Sequence, residues 1–505
     1  MRLNNILLFL SFILLNISIS QAVKCVDYNN PNYYKFINPL YNNRAYCYIK
    51  AENASDISDA ILYAQSINKG VSIRAGGHSA TQFSVLNKTV NIDLSSLKGI
   101  EIDVEAQTAV VQAGVQVIEL YNATTKYLLA TTAGSCPTVG MGVVLGGGSN
   151  YFGGKYGYMA DNVLEFTVVL EDGSIVKANP KNKYSDLYWA LAGSGGGGFG
   201  VVVDYKLKLY PIPQYFYKNT IRFDIVNLDK ALALLDTYVR SSTEDTREKI
   251  YANMYSQLTL KSTNMTPSAS ITFFYNGPLE EGDVEFRKLL TGFLSCPTTN
   301  ATCTPLGRVT SMDIQTLKKT FWEVISSMSY DNNPLRQFTK GRFIKKLSKN
   351  DVPKSINDIY KYAVTNIINS TSLLKPETLL NINQAIFYHG GKQNQERTGS
   401  EDSPLNSFAH RGDEAMWSYT IVAQYNNTEN DPLFSGLRKI VNSKLSSFGD
   451  KLNNNYPDDE VEDWQTGLYV TKSNYKKLQE IKLKYDSSNY FKFPQSIELP
   501  KNKNN

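Results

Sequence analysis

The segment Gly193-Ser194-Gly195-Gly196-Gly197-Gly198 fits the pattern Gly-x-Gly-x-x-Gly, and its setting constrains the fold more than any other feature of the chain. A dinucleotide-binding turn of the Rossmann kind leads from a strand, through the glycines, into a helix whose N-terminus meets the pyrophosphate. Here the order is reversed: a helix pattern over 184–192 comes first and a strand pattern over 201–209 follows. The Rossmann reading therefore fails. Two more glycine-rich stretches, 133–140 and 140–157, precede this one. Glycines in such numbers imply close approach of the backbone to a flat or phosphorylated ligand.

Around them, residues 45–210 read as alternating helices and strands. Ser55 is placed to cap a helix whose apolar positions Ile57, Ala60, Ile61 and Ala64 share a face, and Gly70 stops it. Val71–Arg74 reads as a strand running into the turn Ala75-Gly76-Gly77-His78-Ser79, and Val90–Leu94 as another. Ile100, Ile102 and Val104 alternate and a turn leads into Thr108–Ala113, a hairpin signal, before a helix from Val117. Pro211-Ile212-Pro213 marks a boundary. Beyond it come longer segments, a helix over 231–240 and a strand over 270–275 among them, and Ser473 is placed to cap a last helix through Tyr485.

The chain opens with Met1-Arg2-Leu3-Asn4-Asn5, an apolar run from Ile6 to Ile19, and Ser20-Gln21-Ala22. That is the form of a secretory signal peptide, and it falls short of the ~20 residues of a membrane span. A secreted or lumenal protein, not a membrane one, is expected. Asn53, Asn87, Asn122, Asn264, Asn300, Asn369 and Asn426 each open an Asn-x-Ser/Thr sequon, which predicts N-glycans. Lys+Arg 52 against Asp+Glu 47 is too even a balance to imply nucleic acid or an anionic surface as partner. The 33 tyrosines offer flat faces with polar tips, suited to sugar or aromatic ligands and equally to a core. Five cysteines are an odd number for an oxidising compartment. Cys25 with Cys47, and Cys296 with Cys303, are candidate disulfides by proximity in sequence, leaving Cys136 as a buried inert thiol or a reactive one. With three histidines and neither CxxC nor HExxH, no metal site is expected.

A set of blocks now stands in order: Arg74-Ala75-Gly76-Gly77-His78-Ser79; Gly134-Ser135-Cys136-Pro137-Thr138-Val139-Gly140; Lys155-Tyr156-Gly157 with Ala160-Asp161-Asn162-Val163; Gly195–Gly198 with Phe199-Gly200-Val201-Val202; His410-Arg411; Ser473-Asn474-Tyr475-Lys476-Lys477-Leu478; and Asn489-Tyr490-Phe491 with Gln495-Ser496-Ile497. Together they resemble the berberine bridge enzyme-like FAD-linked oxidases of the vanillyl-alcohol oxidase and p-cresol methylhydroxylase superfamily, over nearly the whole mature chain. The resemblance implies an α+β fold: a two-lobed FAD-binding domain of the p-cresol methylhydroxylase type (40–212), an inserted α+β substrate domain with an antiparallel sheet (213–455), and a C-terminal segment (456–500) returning to complete the flavin site, after the leader 1–22.

The same resemblance implies FAD held by two covalent bonds, His78 to the 8α-methyl and Cys136 to C6, which gives the odd thiol a partner. Imidazole and thiolate are both nucleophiles able to add to an oxidised isoalloxazine. Arg74, Ala75, Gly76, Gly77, Ser79, Gly134, Ser135, Val139, Gly140, Gly142, Gly146, Gly147, Gly200, Val201 and Asn489 are the implied cofactor contacts. Tyr475 is the implied base, with Tyr419 as its partner on the segment 416–424. Val139 resembles the oxygen-access residue of the oxidases. Two positions depart from the family: Val144 stands where a histidine is frequent, and Ser79 where an aspartate is. The expected activity is hydride transfer from an alcohol-type substrate, an oligosaccharide or reducing sugar foremost, to FAD that O2 reoxidises with release of H2O2. The alternatives are a dehydrogenase with another acceptor, or a low-turnover secreted flavoprotein that binds ligands in defence. His410-Arg411 reads as structural, and His389 is left without a role.

Overall fold

The computed structural model describes residues 24–27, 38–196, 198–223, 225–261, 264–294, 311–312, 319–328, 335–344, 365, 379–400, 405–412, 416–446 and 451–501. The leader, the Cys296–Cys303 pair and the sequons at Asn300 and Asn369 lie outside them. Val26–Asp27 (β1), Cys47–Lys50 (β2), Val71–Arg74 (β3) and Val90–Asp93 (β4) form a sheet in the order β1-β2-β4-β3. β4 runs parallel to both neighbours, and a Cys25–Cys47 disulfide ties the N-terminal strand to β2. The helix between β2 and β3, Ala54–Ser66 (α1), buries Ile57, Ala60, Ile61 and Ala64 as the sequence predicts. Its cap is Asn53 and not Ser55: Asn53 accepts from the Asp56 N–H while the Asp56 carboxylate accepts from the Asn53 N–H, a reciprocal box that a serine two residues later cannot close.

Ile100–Asp103 (β5), Thr108–Gln112 (β6), Val163–Val169 (β8), Ile175–Ala178 (β9) and Val201–Lys208 (β10) make an antiparallel sheet in the order β5-β6-β10-β8-β9, and Leu129–Ala130 (β7) pairs with Tyr210–Pro211 (β11). The predicted hairpin is β5–β6. Helices Val117–Thr124 (α2) and Ser185–Leu191 (α3) belong to this part, so the glycines of 193–200 do pass from helix to strand. One hydrophobic cluster, from Cys47 to Ile497, fills both sheets and takes in the C-terminal residues Leu478, Ile481, Tyr485 and Phe491.

The third sheet is antiparallel, seven-stranded and separately cored: Tyr217–Phe223 (β12), Ile250–Lys261 (β13), Asn264–Tyr275 (β14), Ser311–Met312 (β15), Arg336–Ile344 (β16), Leu379–Tyr388 (β17) and Trp417–Tyr425 (β18), in the order β15-β12-β14-β13-β17-β18-β16. One face packs on Leu228–Ser241 (α4), Leu279–Leu294 (α5) and Asp431–Leu445 (α6), which contribute Leu232, Leu235, Phe286, Phe293, Phe434 and Val441 to a second cluster. The architecture is α+β. Among the described residues no helix is long and apolar enough to cross a membrane.

Trp464–Tyr469 (α7) and Lys472–Tyr485 (α8) return the chain to the first cluster. Thr471 caps α8, accepting from the Asn474 N–H; Ser473 lies inside the first turn, because the helix begins one residue earlier than its apolar pattern. The return is fastened by a buried charge. Lys482, with no exposed side-chain surface, donates to the Gly198 carbonyl at 2.5 Å and the Phe491 carbonyl at 3.0 Å and pairs with the equally buried Asp486. Asp486 in turn accepts from the Tyr490 and Phe491 N–H groups. Removing one partner of a buried pair strands the other, at a cost of about 3–5 kcal/mol. Asp486→Ala is therefore expected to lower the stability by about that amount in urea denaturation, whereas an exposed pair such as Lys476–Glu480 is expected to be dispensable.

Candidate functional site

β3 delivers the chain into the Ala75–Ser79 turn, and the loop after β7 carries Cys136. What brings them together is a glycine on each. A Cβ added to Gly76 would lie 2.5 Å from the Gly140 nitrogen, and one added to Gly140 would lie 2.6 Å from the Gly76 nitrogen. The two backbones touch where neither can carry a side chain. The Cys136 loop is fixed from its other side by the first N–H groups of α2, which lack helical partners: Val117 donates to the Val139 carbonyl and Ile118 to the Pro137 carbonyl, both at 2.9 Å.

His78 Nε2 then stands 2.8 Å from the Thr138 hydroxyl, and Cys136 Sγ 3.5 Å from the same oxygen. Burial pushes the His78 imidazole down to about 4 against a bond to Thr138, so it is neutral at neutral pH. Cys136 is half-buried and free of disulfide. Two nucleophiles thus share one hydroxyl at a partly open surface. Thr138, their link, carries no mark in the sequence beyond its place between Cys136 and Gly140.

The glycines around this pair serve different ends. A Cβ at Gly142 would meet nothing within 4 Å, so its face is open. Gly195, Gly196 and Gly198 have positive φ with no atom closer than 3.4 Å to an added Cβ. Beside them the Ser194 hydroxyl and the Asn454 amide oxygen are buried without a partner among the described residues. That roomy backbone with unanswered polar atoms fits a large polar cofactor. Gly146 and Gly147 are closed instead by Asn455 and Phe408, and Gly134 by Val139. Gly200 and Val201 are accounted for by the sheet: a Cβ at Gly200 would lie 2.7 Å from the Val169 carbonyl, and Val201 is a core residue of β10. Arg74 pairs with Asp93 at 3.7 Å and folds back over Gly77; the Ser79 hydroxyl accepts from the Phe83 N–H. Asn489 adopts left-handed backbone in the turn that follows Asp486. Ala75 and Ser135 lie half-buried in their loops.

The tyrosine beside Cys136 is Tyr456. Its phenol is pushed up to about 12 by burial and by the neighbouring Cys136, and its ring lies on Gly341 of β16, where a Cβ would come within 3.0 Å of Cδ2. The loop that carries it is fixed at both ends. Asn454 donates to the Gly193 carbonyl and Asn455 to the Gly146 carbonyl, each at 2.8 Å. Two residues on, Asp458 is wholly buried between Lys340 and Arg342, the latter at 2.8 Å.

Neither tyrosine expected from the sequence occupies that place. Tyr419 is fully buried among the helix-facing residues of the seven-stranded sheet, its hydroxyl donating to the Gln384 amide oxygen at 3.1 Å. The register is one residue off: Ser418 and Thr420 face the other side. Tyr475 stacks on Tyr469, and its hydroxyl donates to Glu498 at 3.2 Å, out at the C-terminal segment; burial holds its phenol well above the usual range. Arg411 clasps the buried Asp161 at 2.6 Å, a structural pair, and His410 stacks on Phe343. His389 lies 2.7 Å from the Ser418 hydroxyl. Val144 is wholly buried in the first core.

The sequence matches the FAD binding domain family over residues 45–179 and the berberine and berberine-like family over residues 454–498, the second beginning inside the Tyr456 loop. It is 26% identical to berberine bridge enzyme-like 14 of Arabidopsis thaliana over 93% of this chain and 89% of that one. An FAD-dependent monooxygenase of Arthrobotrys oligospora is 35% identical over 40% of each chain, so that match spans less than half of the relative. Among solved structures, the carbohydrate oxidase of Microdochium nivale superposes with a TM-score of 0.74 over 96% of this chain and 99% of that one, at 22% identity. The close approach of Gly76 and Gly140 gives a direct test. Gly140→Ala is expected to part the two loops and abolish flavin retention, measured as flavin absorbance per chain, while Gly70→Ala, whose added Cβ would meet only Thr89 at 3.8 Å, is expected to retain it.

Proposed function

This chain belongs to the berberine bridge enzyme-like family of FAD-linked oxidoreductases, and we propose that it oxidises an alcohol-type substrate, an oligosaccharide or reducing sugar, to the carbonyl level beside Cys136 and Tyr456. In this reading FAD is held through both His78 and Cys136. The balance is one CH–OH group and one O2 consumed, one carbonyl and one H2O2 formed. The observation that carries the proposal is the meeting of a neutral imidazole and a free thiol on one hydroxyl, with the half-buried Tyr456 phenol within electrostatic reach of that thiol.

Each residue has a part that its surroundings support. His78, neutral because burial disfavours its charge, keeps a lone pair for bonding to carbon. Cys136 supplies the second tether, and Thr138 orients both. Bound FAD supplies a two-electron acceptor for the hydride of the carbinol carbon. Tyr456 takes the hydroxyl proton. A phenol near 12 is mostly protonated at neutral pH, but one of the two causes, Cys136, disappears once its sulfur is carried in a neutral thioether. Asp458, locked between Lys340 and Arg342, holds the loop so that the phenol cannot swing away. Val139, half-buried and β-branched against Gly134, supports dioxygen as the acceptor, and the carbohydrate oxidase likeness supports a sugar as donor. Secretion with N-glycans is part of the same reading. It is supported by the N-terminal leader pattern, by the Cys25–Cys47 disulfide and by exposed side chains at Asn53, Asn87, Asn122 and Asn426.

Two experiments test the reading. After acid precipitation, flavin is expected to stay with the protein, to stay in each of His78→Ala and Cys136→Ala where one tether remains, and to wash out of the double variant; release from the unaltered protein would end the covalent proposal. Tyr456→Phe is expected to slow anaerobic flavin reduction by roughly 10²- to 10⁴-fold, the usual worth of a general base, with flavin content unchanged. In the unaltered enzyme the reduction rate should rise with pH through the alkaline range, because burial still holds the phenol above its ordinary value and the phenolate is the active form. Tyr456→Phe should lose that dependence, and Tyr475→Phe should keep it.

A further inference from the structure

The turn that carries His78 is held at its entry by the Gly76–Gly140 crossing. Between that crossing and Ala80 the chain passes through Gly77 at φ +73°, a residue with no side chain to stiffen it. A turn fixed at one end only would let the imidazole pivot about that glycine. The exit of the turn is fixed from elsewhere, by a residue of the N-terminal segment.

Asn38 is wholly buried, and both ends of its carboxamide are used. Its Nδ2 donates to the Ala80 carbonyl at 2.5 Å and to the Gln337 carbonyl at 2.7 Å. Its Oδ1 accepts from the Gln337 N–H at 2.9 Å and from the Leu40 N–H at 3.1 Å. Gln337 belongs to β16, the outermost strand at its end of the seven-stranded sheet. Such a strand presents every second N–H and C=O without a strand partner. A carboxamide carries the donor and the acceptor of a peptide group, so Asn38 pairs with Gln337 as another strand would.

The same residue grips the His78 turn a second time. The Asn38 carbonyl accepts from Gln82 Nε2 at 2.5 Å. Gln82 is buried and stands in left-handed backbone at φ +54°, where a residue other than glycine needs its surroundings to hold it. Arg336, the neighbour of Gln337, donates to the Pro39 carbonyl at 3.0 Å while clasping Asp431. One asparagine thus joins the exit of the His78 turn to a strand 299 positions along the chain.

We infer that Asn38 is the positioning residue of His78: it fixes the exit of the turn against the edge of the seven-stranded sheet and so aims the imidazole for its bond to the flavin. Cys136 does not depend on it, because the Val117 and Ile118 N–H groups of α2 set that loop. This assignment rests on the proposed attachment of FAD through both residues. Forming the His78 tether joins a ring nitrogen to the 8α carbon. The imidazole proton, one methyl proton and two electrons pass to the flavin ring and from there to O2, which leaves as H2O2. Such a step depends steeply on aim, and a misplacement of about 1 Å slows it roughly a hundredfold.

Two single-tether backgrounds separate the residues, each purified with its flavin. In Cys136→Ala, where His78 is the tether left, adding Asn38→Leu is expected to lower acid-stable flavin per chain roughly fivefold or more. In His78→Ala, where Cys136 is the tether left, adding Asn38→Leu is expected to change nothing. Gln82→Met removes only the bond to the Asn38 carbonyl and is expected to show the same split by a smaller factor; it decides the matter if Asn38→Leu does not fold. Tyr41→Phe, which loses an exposed bond to Asp459 on the same segment, is expected to show no effect in either background. Hydrogen exchange gives a readout independent of any tether. With both tethers in place, Asn38→Leu is expected to speed exchange at the Gln82 and Val85 amides roughly tenfold and to leave the Val117 and Ile118 amides as they were. Equal flavin loss in the two backgrounds would make Asn38 a general part of the fold and overturn the assignment. Unchanged flavin in both, or unchanged exchange at Gln82 and Val85, would overturn it as well. Flavin released by acid from the unaltered protein would end the covalent reading alone, and the exchange rates would still decide whether Asn38 holds the His78 turn.

Discussion

The approach of Gly76 to Gly140 is the contact on which the site depends. His78 and Cys136 are 58 positions apart in the chain and sit on loops from different sheets. Their common bond to Thr138 is possible only because two backbones meet at a spacing that excludes a side chain on either. Everything around that crossing serves to hold it. α2 spends its unpaired N–H groups on the Cys136 loop, and β3 and β4, packed under α1, fix the turn that carries His78. The glycines here act through the volume they leave empty, more than through any left-handed torsion.

The second dependency is electrostatic. The segment 452–458 reaches from the edge of the seven-stranded sheet to the glycine-rich loops, and three asparagines ending in a tyrosine would not hold one conformation by propensity. Burial of Asp458 between Lys340 and Arg342 turns it into a rigid arm, with Asn454 and Asn455 pinned to backbone carbonyls at the far end. A buried carboxylate is costly unless two cations answer it. That cost is what makes the position specific, because any slip of the loop would leave three charges stranded. The arm thereby joins the edge of the sheet to the glycine-rich loops, with Tyr456 lying between them.

Much of this was legible in the sequence. Periodicity gave β3, the β5–β6 hairpin, α1 and α2 because each has one apolar and one polar side, and the odd cysteine pointed to Cys136. Tyr456 was not legible: it follows Asn453, Asn454 and Asn455, a composition that reads as linker, and its importance lies in its contact with Gly341 and its electrostatic coupling to Cys136, over 100 and 300 positions away. Tyr419 was misread for a different reason. In β18 a period of two separates the faces but does not say which is inward, and Trp417, Tyr419, Ile421, Ala423 and Tyr425 all turned to the helices. The residues left facing the site were Ser418, Thr420 and Gln424, which look like surface when read alone.

The charge state of the site then leaves few choices for a proton acceptor. All three histidines are neutral, His389 and His410 buried and His78 half-buried: His78 and His389 are pushed down to about 4 and His410 to about 3, in each case chiefly by desolvation. A base of such low affinity has little drive to take a proton from an alcohol, and His78 already holds Thr138 while His389 holds Ser418. The buried carboxylates are committed too. Burial would raise Asp161 and Asp458, but Arg411 with Arg397 outweighs it at the first and Lys340 with Arg342 at the second, holding both below the ordinary range. What remains beside Cys136 is a phenol of high proton affinity. Its weakness is that it must first lose its own proton, and its strength is that, once lost, the phenolate is a far better match to an alcohol than any carboxylate or imidazole here. The same burial that silences the histidines is what gives Tyr456 its basicity.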